Sequence, residues 1–277
     1  MKIVLVLFVI LSSLSNAQTT IKSLPAELNE LSGLVFINDT LMAGHNDGGH
    51  KPEIFFVNKS GKCVHVCTLT NAKNKDWEDI TKDDKGNLYI GDFGNNENKR
   101  TDLCVYKVSI DSCLKNKTVK AQKISFSYPE QTEFPPEEAN LNYDAEAMAY
   151  YNDSLYIFTK CRTLPWTGRS LIYSLSVNES EQKAHYLNGL FVGPSGWWQD
   201  AITAADISGD RCYLLTYNRL MVYRIKKGQL DFEKRFYLQP ITQKEAIAVS
   251  TKGEIFIGDE LHKLLGGGYL YQLKANE

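Results

Sequence analysis

One strand pattern recurs five times along this chain, and no other feature restricts the fold as much. Each copy opens on an acidic or polar residue and runs through a short strand of small apolar residues. It then turns and returns in a second strand that ends polar. The openings are Ser32-Gly-Leu-Val-Phe, Glu78-Asp-Ile-Thr, Glu146-Ala-Met-Ala-Tyr, Thr203-Ala-Ala-Asp-Ile and Glu245-Ala-Ile-Ala-Val. The second strands are Leu41-Met-Ala-Gly, Leu88-Tyr-Ile-Gly, Leu155-Tyr-Ile-Phe, Tyr213-Leu-Leu-Thr and Ile255-Phe-Ile-Gly. Between them stand tight-hairpin residues such as Asp84-Lys-Gly-Asn, Asn152-Asp and Ser208-Gly-Asp,. Third strands follow from Ile54, Val105, Leu171, Met221 and Tyr269. Fourth strands fit at Val64 to Leu69, Gln122 to Tyr128, Ala184 to Val192 and Phe232 to Leu238.

The fifth repeat has no fourth strand of its own, and Thr20 to Leu24 can supply it, closing a ring without a free edge,. Five repeats of about 45 residues, each making one four-stranded sheet, predict an all-β, five-bladed β-propeller as a single domain over residues 18–277. A six-bladed ring is the alternative, because the long interval between Glu78 and Glu146 has room for a degenerate blade.

Residues 1–17 read as a signal peptide. Lys2 supplies the positive charge, Ile3 to Leu11 an apolar run too short to span a bilayer, and Ser12 to Ala17 a small-residue cleavage region,. The expectation is a secreted or periplasmic protein without a membrane anchor, and a monomer. A formal charge of −2 leaves no footprint for nucleic acid,. Export permits disulfides among Cys63, Cys67, Cys104, Cys113, Cys161 and Cys212,. Cys104 and Cys113 are spaced to close a hairpin, but the pairing is not legible, and buried free thiols fit as well.

In a propeller the first strand of each blade lines the axis and the second runs antiparallel beside it. First-strand starts and second-strand ends therefore open on one face. That face gathers Ser32, Glu78, Glu146, Thr203 and Glu245 from the starts, and Asn46, Asp47, Asp92, Lys160, Asn218 and Asp259 from the ends. Asp76 and Asp144 lie just outside it. Two carboxylates about 4 Å apart repel by about 4 kcal/mol at an effective dielectric near 20. Such a set needs a cation, a shared proton, Lys160 or a wet channel; the alternative is that neighbouring blades and water donate to it. Glu78, Asp92, Glu146, Glu245 and Asp259 are the candidate metal ligands, and calcium suits such hard oxygens. Glu78, Glu146 and Glu245 are also the candidates for acid–base catalysis.

Loops on the same face carry all four tryptophans. Trp77, beside a first strand, reads as core. Trp166, Trp197 and Trp198 offer flat apolar surfaces to a sugar or another planar group. Asn46, Asp47, Lys160, Arg162 and Asn218 complete the candidate ligand-binding set, and His45 stands close enough to be weighed as a base. The stiff acidic stretch Glu133-Phe-Pro-Pro-Glu-Glu would overhang the rim.

Asp76-Trp-Glu-Asp-Ile, Leu88-Tyr-Ile-Gly-Asp-Phe-Gly-Asn-Asn and Asp144-Ala-Glu-Ala-Met resemble segments of largely uncharacterised secreted bacterial propeller proteins, over most of the mature chain. More distantly, the pattern is similar to phytase-like esterase, NHL-repeat and gluconolactonase/regucalcin propellers. The resemblance implies a radial array of blades, often with calcium near the axis, and leaves the activity open. Three readings follow: a binder of a glycan or small anionic ligand, acting through calcium; a metal-dependent lactonase or phosphoesterase; or a protein-interaction scaffold.

Overall fold

In a computed structural model that describes residues 18–273, the chain forms five sheets, antiparallel but for one short outer pairing in each of the first two, arranged as the blades of a propeller. Their innermost strands are Leu31–Phe36, Trp77–Lys82, Asp144–Tyr151, Ala204–Ser208 and Lys244–Val249. Within the first four blades the strands follow in sequence order outward. The closure holds: Gln18–Ser23 pairs antiparallel with Tyr269–Leu273 as the outermost strand of the fifth blade. The six-bladed alternative fails. The interval between Glu78 and Glu146 contains a short helix, Ile110–Lys115, and a long connection before Asp144, not a further blade. The leader expected over residues 1–17 lies outside the described residues. Among the described residues no helix is long and apolar enough to cross a membrane.

Five apolar clusters hold the ring, one at each interface between adjacent blades. The inner strands are buried on both faces, so they carry small residues where blades converge, such as Ala145, Ala147 and Ala149, or Ala246 and Ala248. The outermost strand of the fourth blade, Gln229–Tyr237, is mostly exposed and mostly polar. Of the hairpin turns, Asn152-Asp153 adopts positive φ at both residues (49° and 57°), which Asn and Asp tolerate better than most residues,.

Inner strands of adjacent blades splay apart and cannot form a ladder, so side chains bridge them. Asp79 is fully buried at the axis. It accepts hydrogen bonds from the N–H groups of Met148 (2.8 Å) and Ala205 (3.1 Å), tying the second blade to the third and fourth. Asp206 accepts from Val249 N–H at 2.7 Å, and Thr81 Oγ1 from Tyr150 N–H at 3.1 Å. Gly33, at φ 111°, allows the close packing of blades one and two, since a Cβ there would stand 3.0 Å from the Asp79 backbone,.

Two short parallel pairings add an outer strap. Thr118–Val119, beyond the helix of the second blade, pairs with Thr68 and Leu69 of the first blade. Glu181–Lys183 of the third blade pairs with Ser125–Ser127 of the second. The helix Ile110–Lys115 begins where the Ser109 side chain accepts from Ser112 N–H, with Asp111 in its first turn and Lys115 in its last,.

Candidate functional site

The ladders explain why three glutamates share one end of the ring. Trp77 pairs with Asp92 and Asp79 with Gly91, so Glu78 is the extra residue of a bulge. Glu146 is skipped in the same way between Ala145 and Ala147, and Glu245 between Lys244 and Ala246. A bulge re-aims its residue out of the ladder, and all three glutamates are buried. The two blades without a glutamate use a hydroxyl there. Ser32 Oγ donates to Glu78 O at 2.8 Å, and Thr203 Oγ1 donates to Lys244 O at 2.7 Å.

The carboxylates divide into two kinds. Several have a dedicated partner. Lys160 Nζ donates to Glu146 Oε2 at 2.8 Å, and Arg162 reaches Asp144 at 2.7 Å and Glu146 at 3.3 Å. Asp92 meets Arg100 at 2.9 Å. Asp259 faces its own blade, accepting from Thr242 Oγ1 (2.5 Å), Tyr271 OH (2.7 Å) and Tyr269 N–H (2.7 Å).

The second kind has no cation of its own among the described residues. Oxygens of Asp47, Glu245 and Glu260 lie within 4.8 Å of one another, and so do oxygens of Asp47, Asp76 and Glu78, giving two triads that share Asp47. Glu260 Oε1 is buried, no described residue donates to it, and the Glu245 carboxylate is close by. Gly48 and Gly94 bring backbone against this group; a Cβ on Gly94 would collide with Glu78 Oε1.

Electrostatics follow burial. Desolvation, then the charge of Glu245, pushes Asp47 up to about 7. Asp76 rises to about 6 through burial and Asp144. Glu260 rises to about 11 through burial, Glu245 and Asp47. Glu78 is raised well above the carboxylate range by burial and then by Glu146 and Asp47. Burial opposes the charge on Lys160, yet Glu146, Tyr217 and Glu245 together outweigh it and hold the ammonium well above its ordinary value.

A polar relay joins the paired and unpaired regions. Lys160 Nζ lies 3.3 Å from Tyr217 OH, and Tyr217 OH donates to Glu245 Oε1 at 2.9 Å. Tyr217 is the foot of an aromatic ladder: Trp198 packs 4.9 Å from it, and Trp197, about half exposed, packs 5.3 Å from Trp198. Both tryptophans sit on the short helix Trp197–Asp200, whose Asp200 is anchored by Arg219.

Other candidate ligand residues have structural partners. Asn46 donates to Glu27 O (2.8 Å) and accepts from Glu30 N–H (3.2 Å), bracing the segment that enters the first blade. Asn218 accepts from Thr216 Oγ1 at 3.2 Å. The Trp166 indole N–H donates to Gly193 O at 2.9 Å. Trp77 is core, edge-on to His45 at 5.4 Å. His45 is itself fully buried, and desolvation lowers it to about 4, so it stays neutral inside the ring and is remote from any role as a surface base.

Glu260 was absent from the sequence reading. Its signal is the strand period: Asp259 turns into its own blade, which sends the next carboxylate the other way. Asp79 was likewise hidden next to the more conspicuous Glu78.

No protein-family model and no curated protein sequence matches the chain. Solved structures do match in fold. Glutaminyl cyclase of Myxococcus xanthus aligns over 94% of this chain and 96% of its own, at 14% identity and a TM-score of 0.56. The PQQ-bound aldose sugar dehydrogenase of Streptomyces coelicolor covers 94% and 98%, at 8% identity and 0.52. A luciferin-regenerating enzyme covers 91% and 94%, at 12% identity and 0.51. At these identities the likeness establishes the β-propeller fold.

Proposed function

We propose that the acidic end binds a divalent cation, calcium by the hardness of its ligands, and with it a glycan or small anionic molecule. The observation that carries this reading is the pair of carboxylate triads joined at Asp47, with Glu260 Oε1 buried among them and given no donor by the described residues. Lys160, Arg162 and Arg100 are already engaged by Glu146, Asp144 and Asp92, so the unpaired acids would repel an anion arriving alone. Asp47, Asp76, Glu78, Glu245 and Glu260 would hold the cation, which when bound neutralises them and offers a positive centre to a ligand oxygen. Trp197 and Trp198 lead away from Tyr217 as stacking surface for a ring,. A cavity of about 610 Å³ opens at the other end of the ring, among the hairpin turns. Its carboxylates have donors or lysine partners, so it lacks this unbalanced chemistry.

Calcium titration followed by thermal unfolding tests the proposal. A ligand at about 100 times its Kd stabilises by about 2.7 kcal/mol, and EGTA should reverse the shift. An unchanged melting temperature with millimolar calcium, magnesium and manganese sinks it.

A second, enzymatic reading draws on one feature. Glu78 is a buried carboxyl whose proton affinity is raised by burial and by the acids around it, set beside Asp47 and Asp76, as a general acid requires,. The names of the three structural neighbours are those of enzymes, which supports testing it. Calcium-dependent turnover of a lactone or phosphoester panel, abolished in Glu78→Gln, would establish a hydrolase; binding without turnover would favour the first reading.

A further inference from the structure

The six cysteines are not scattered evenly with respect to one another. Cys63 donates to its neighbour's carbonyl, His65 O, at 3.4 Å, and Cys161 lies 3.2 Å from the hydroxyls of both Thr163 and Thr167. Cys212 is buried in the core between blades three and four, and Cys104 lies next to Tyr106. Cys67 and Cys113 behave differently. Each is fully buried in the apolar cluster between blades one and two, which also holds Cys104, and the two side chains are near enough for each to act on the other's proton affinity.

The backbone around them is clamped on both sides. Cys67 is on the outer strand Cys63–Leu69 of the first blade, and Cys113 is on the helix Ile110–Lys115 of the second. His65 Nε2 lies 2.8 Å from Cys113 O and 3.1 Å from Asn116 O. Three residues further along the strand, Thr68 N–H donates to Lys117 O at 2.9 Å, and Thr68 and Leu69 pair with Thr118 and Val119. Strand and helix are thus held together immediately before and after the two thiols.

We propose that Cys67 and Cys113 become joined by a disulfide that fastens the second blade's helix to the outer edge of the first. Both are thiols in the structure. The pairing differs from the Cys104–Cys113 hairpin that sequence spacing allows. A disulfide-bearing oxidant, such as oxidised glutathione or an oxidised dithiol protein, supplies the oxidising equivalents. One cysteine thiolate displaces one sulfur of the oxidant, and the other cysteine then displaces the second. One S–S bond is made as the oxidant's is broken, and the oxidant leaves as two thiols carrying the two protons. Burial raises both thiols, so the exchange belongs to the folding chain, before the cluster closes over them,. The exported route expected from residues 1–17 would supply such an oxidant.

Refolding the chain in oxidised and reduced glutathione, alkylating without reduction and mapping the peptides by mass tests the bond. The expected product is one linked species of the Cys67 and Cys113 peptides, lighter by two hydrogens than their sum and separated by dithiothreitol. Reduction should lower the melting temperature by about 5–10 °C. In Cys113→Ser, Cys67 should take up the alkyl label. Folded protein in which both cysteines are alkylated, or in which either is joined to Cys104, overturns the proposal.

Discussion

The two ends of the ring hold the same residue type in opposite electrostatic states. At the hairpin-turn end, Asp39 meets Lys252 and Asp153 meets Lys85, each at 2.5 Å and in the open, and both carboxyls are pulled below their ordinary values by those lysines. Asp83 accepts from Lys85 N–H, Asn87 N–H, Asn87 Nδ2 and Tyr89 OH, which together outweigh its partial burial. At the bulge end, Asp47, Asp76, Glu78 and Glu260 are raised, chiefly by desolvation and then by the neighbouring Glu245, Asp144 and Glu146. The difference lies in the backbone. A hairpin turn projects its acids into water near lysines, whereas at the other end bulges turn Glu78 and Glu245 into the group that Asp47, Asp76 and Glu260 join.

The largest expected effect separates the axis from both ends. Asp79→Ala leaves the N–H groups of Ile80, Met148 and Ala205 without their acceptor. At about 1–3 kcal/mol for each buried unsatisfied group, urea unfolding should show a loss of about 4 kcal/mol. A loss below about 1 kcal/mol would mean that the blades do not depend on this carboxylate.

Asp47→Asn sharpens the contrast from the acidic end. It removes the charge common to both triads. The metal-free protein should gain about 1 kcal/mol from relieved repulsion, while calcium should no longer raise its melting temperature. Retention of the full calcium shift would break the link between the triads and the cation.

The pH dependence is smaller and has a definite sign. Asp47 at about 7 and Asp76 at about 6 stand above their unfolded value of 3.8. The folded state therefore binds more protons than the unfolded state between about pH 4 and 7, and stability falls as pH rises through that window. Melting in EGTA should be higher at pH 5 than at pH 8, and calcium should narrow the gap by replacing the protons. Asp206, on the inner strand of the fourth blade rather than in a turn, is raised to about 7 by burial and should contribute a part that calcium does not alter. A melting temperature that rises with pH in EGTA would contradict the assignment.

The smallest effect tests the turn end. Asp39→Asn removes an exposed pair that salt and solvent screen, and should leave the unfolding midpoint unchanged within error,. A clear shift there would show that the two ends are less different than their burial implies.

Much of this arrangement is legible before folding. The five openings, their hairpin residues and the missing fourth strand of the last repeat lead to five blades and to closure by the first strand, because hydrophobic period and turn chemistry are local properties. The same logic brings Glu78, Glu146 and Glu245 to one end. What each does there is not local. Glu146 lies against Lys160 and Arg162, whereas Glu78 lies with Asp47 and Asp76, although the two glutamates open nearly identical repeats. The bulges that release them appear only when strands pair.

The amino-acid order by itself thus determined the β class, the blade count favoured over six, and which end of the ring is acidic, since alternation and turn residues act within a few positions of one another. Only the assembled ring decided that Asp79 ties three blades at the axis, that Asp259 serves its own blade while Glu260 joins Asp47, and that Cys67 meets Cys113. Those outcomes depend on distances between residues far apart in the chain and on how much water packing leaves around each charge.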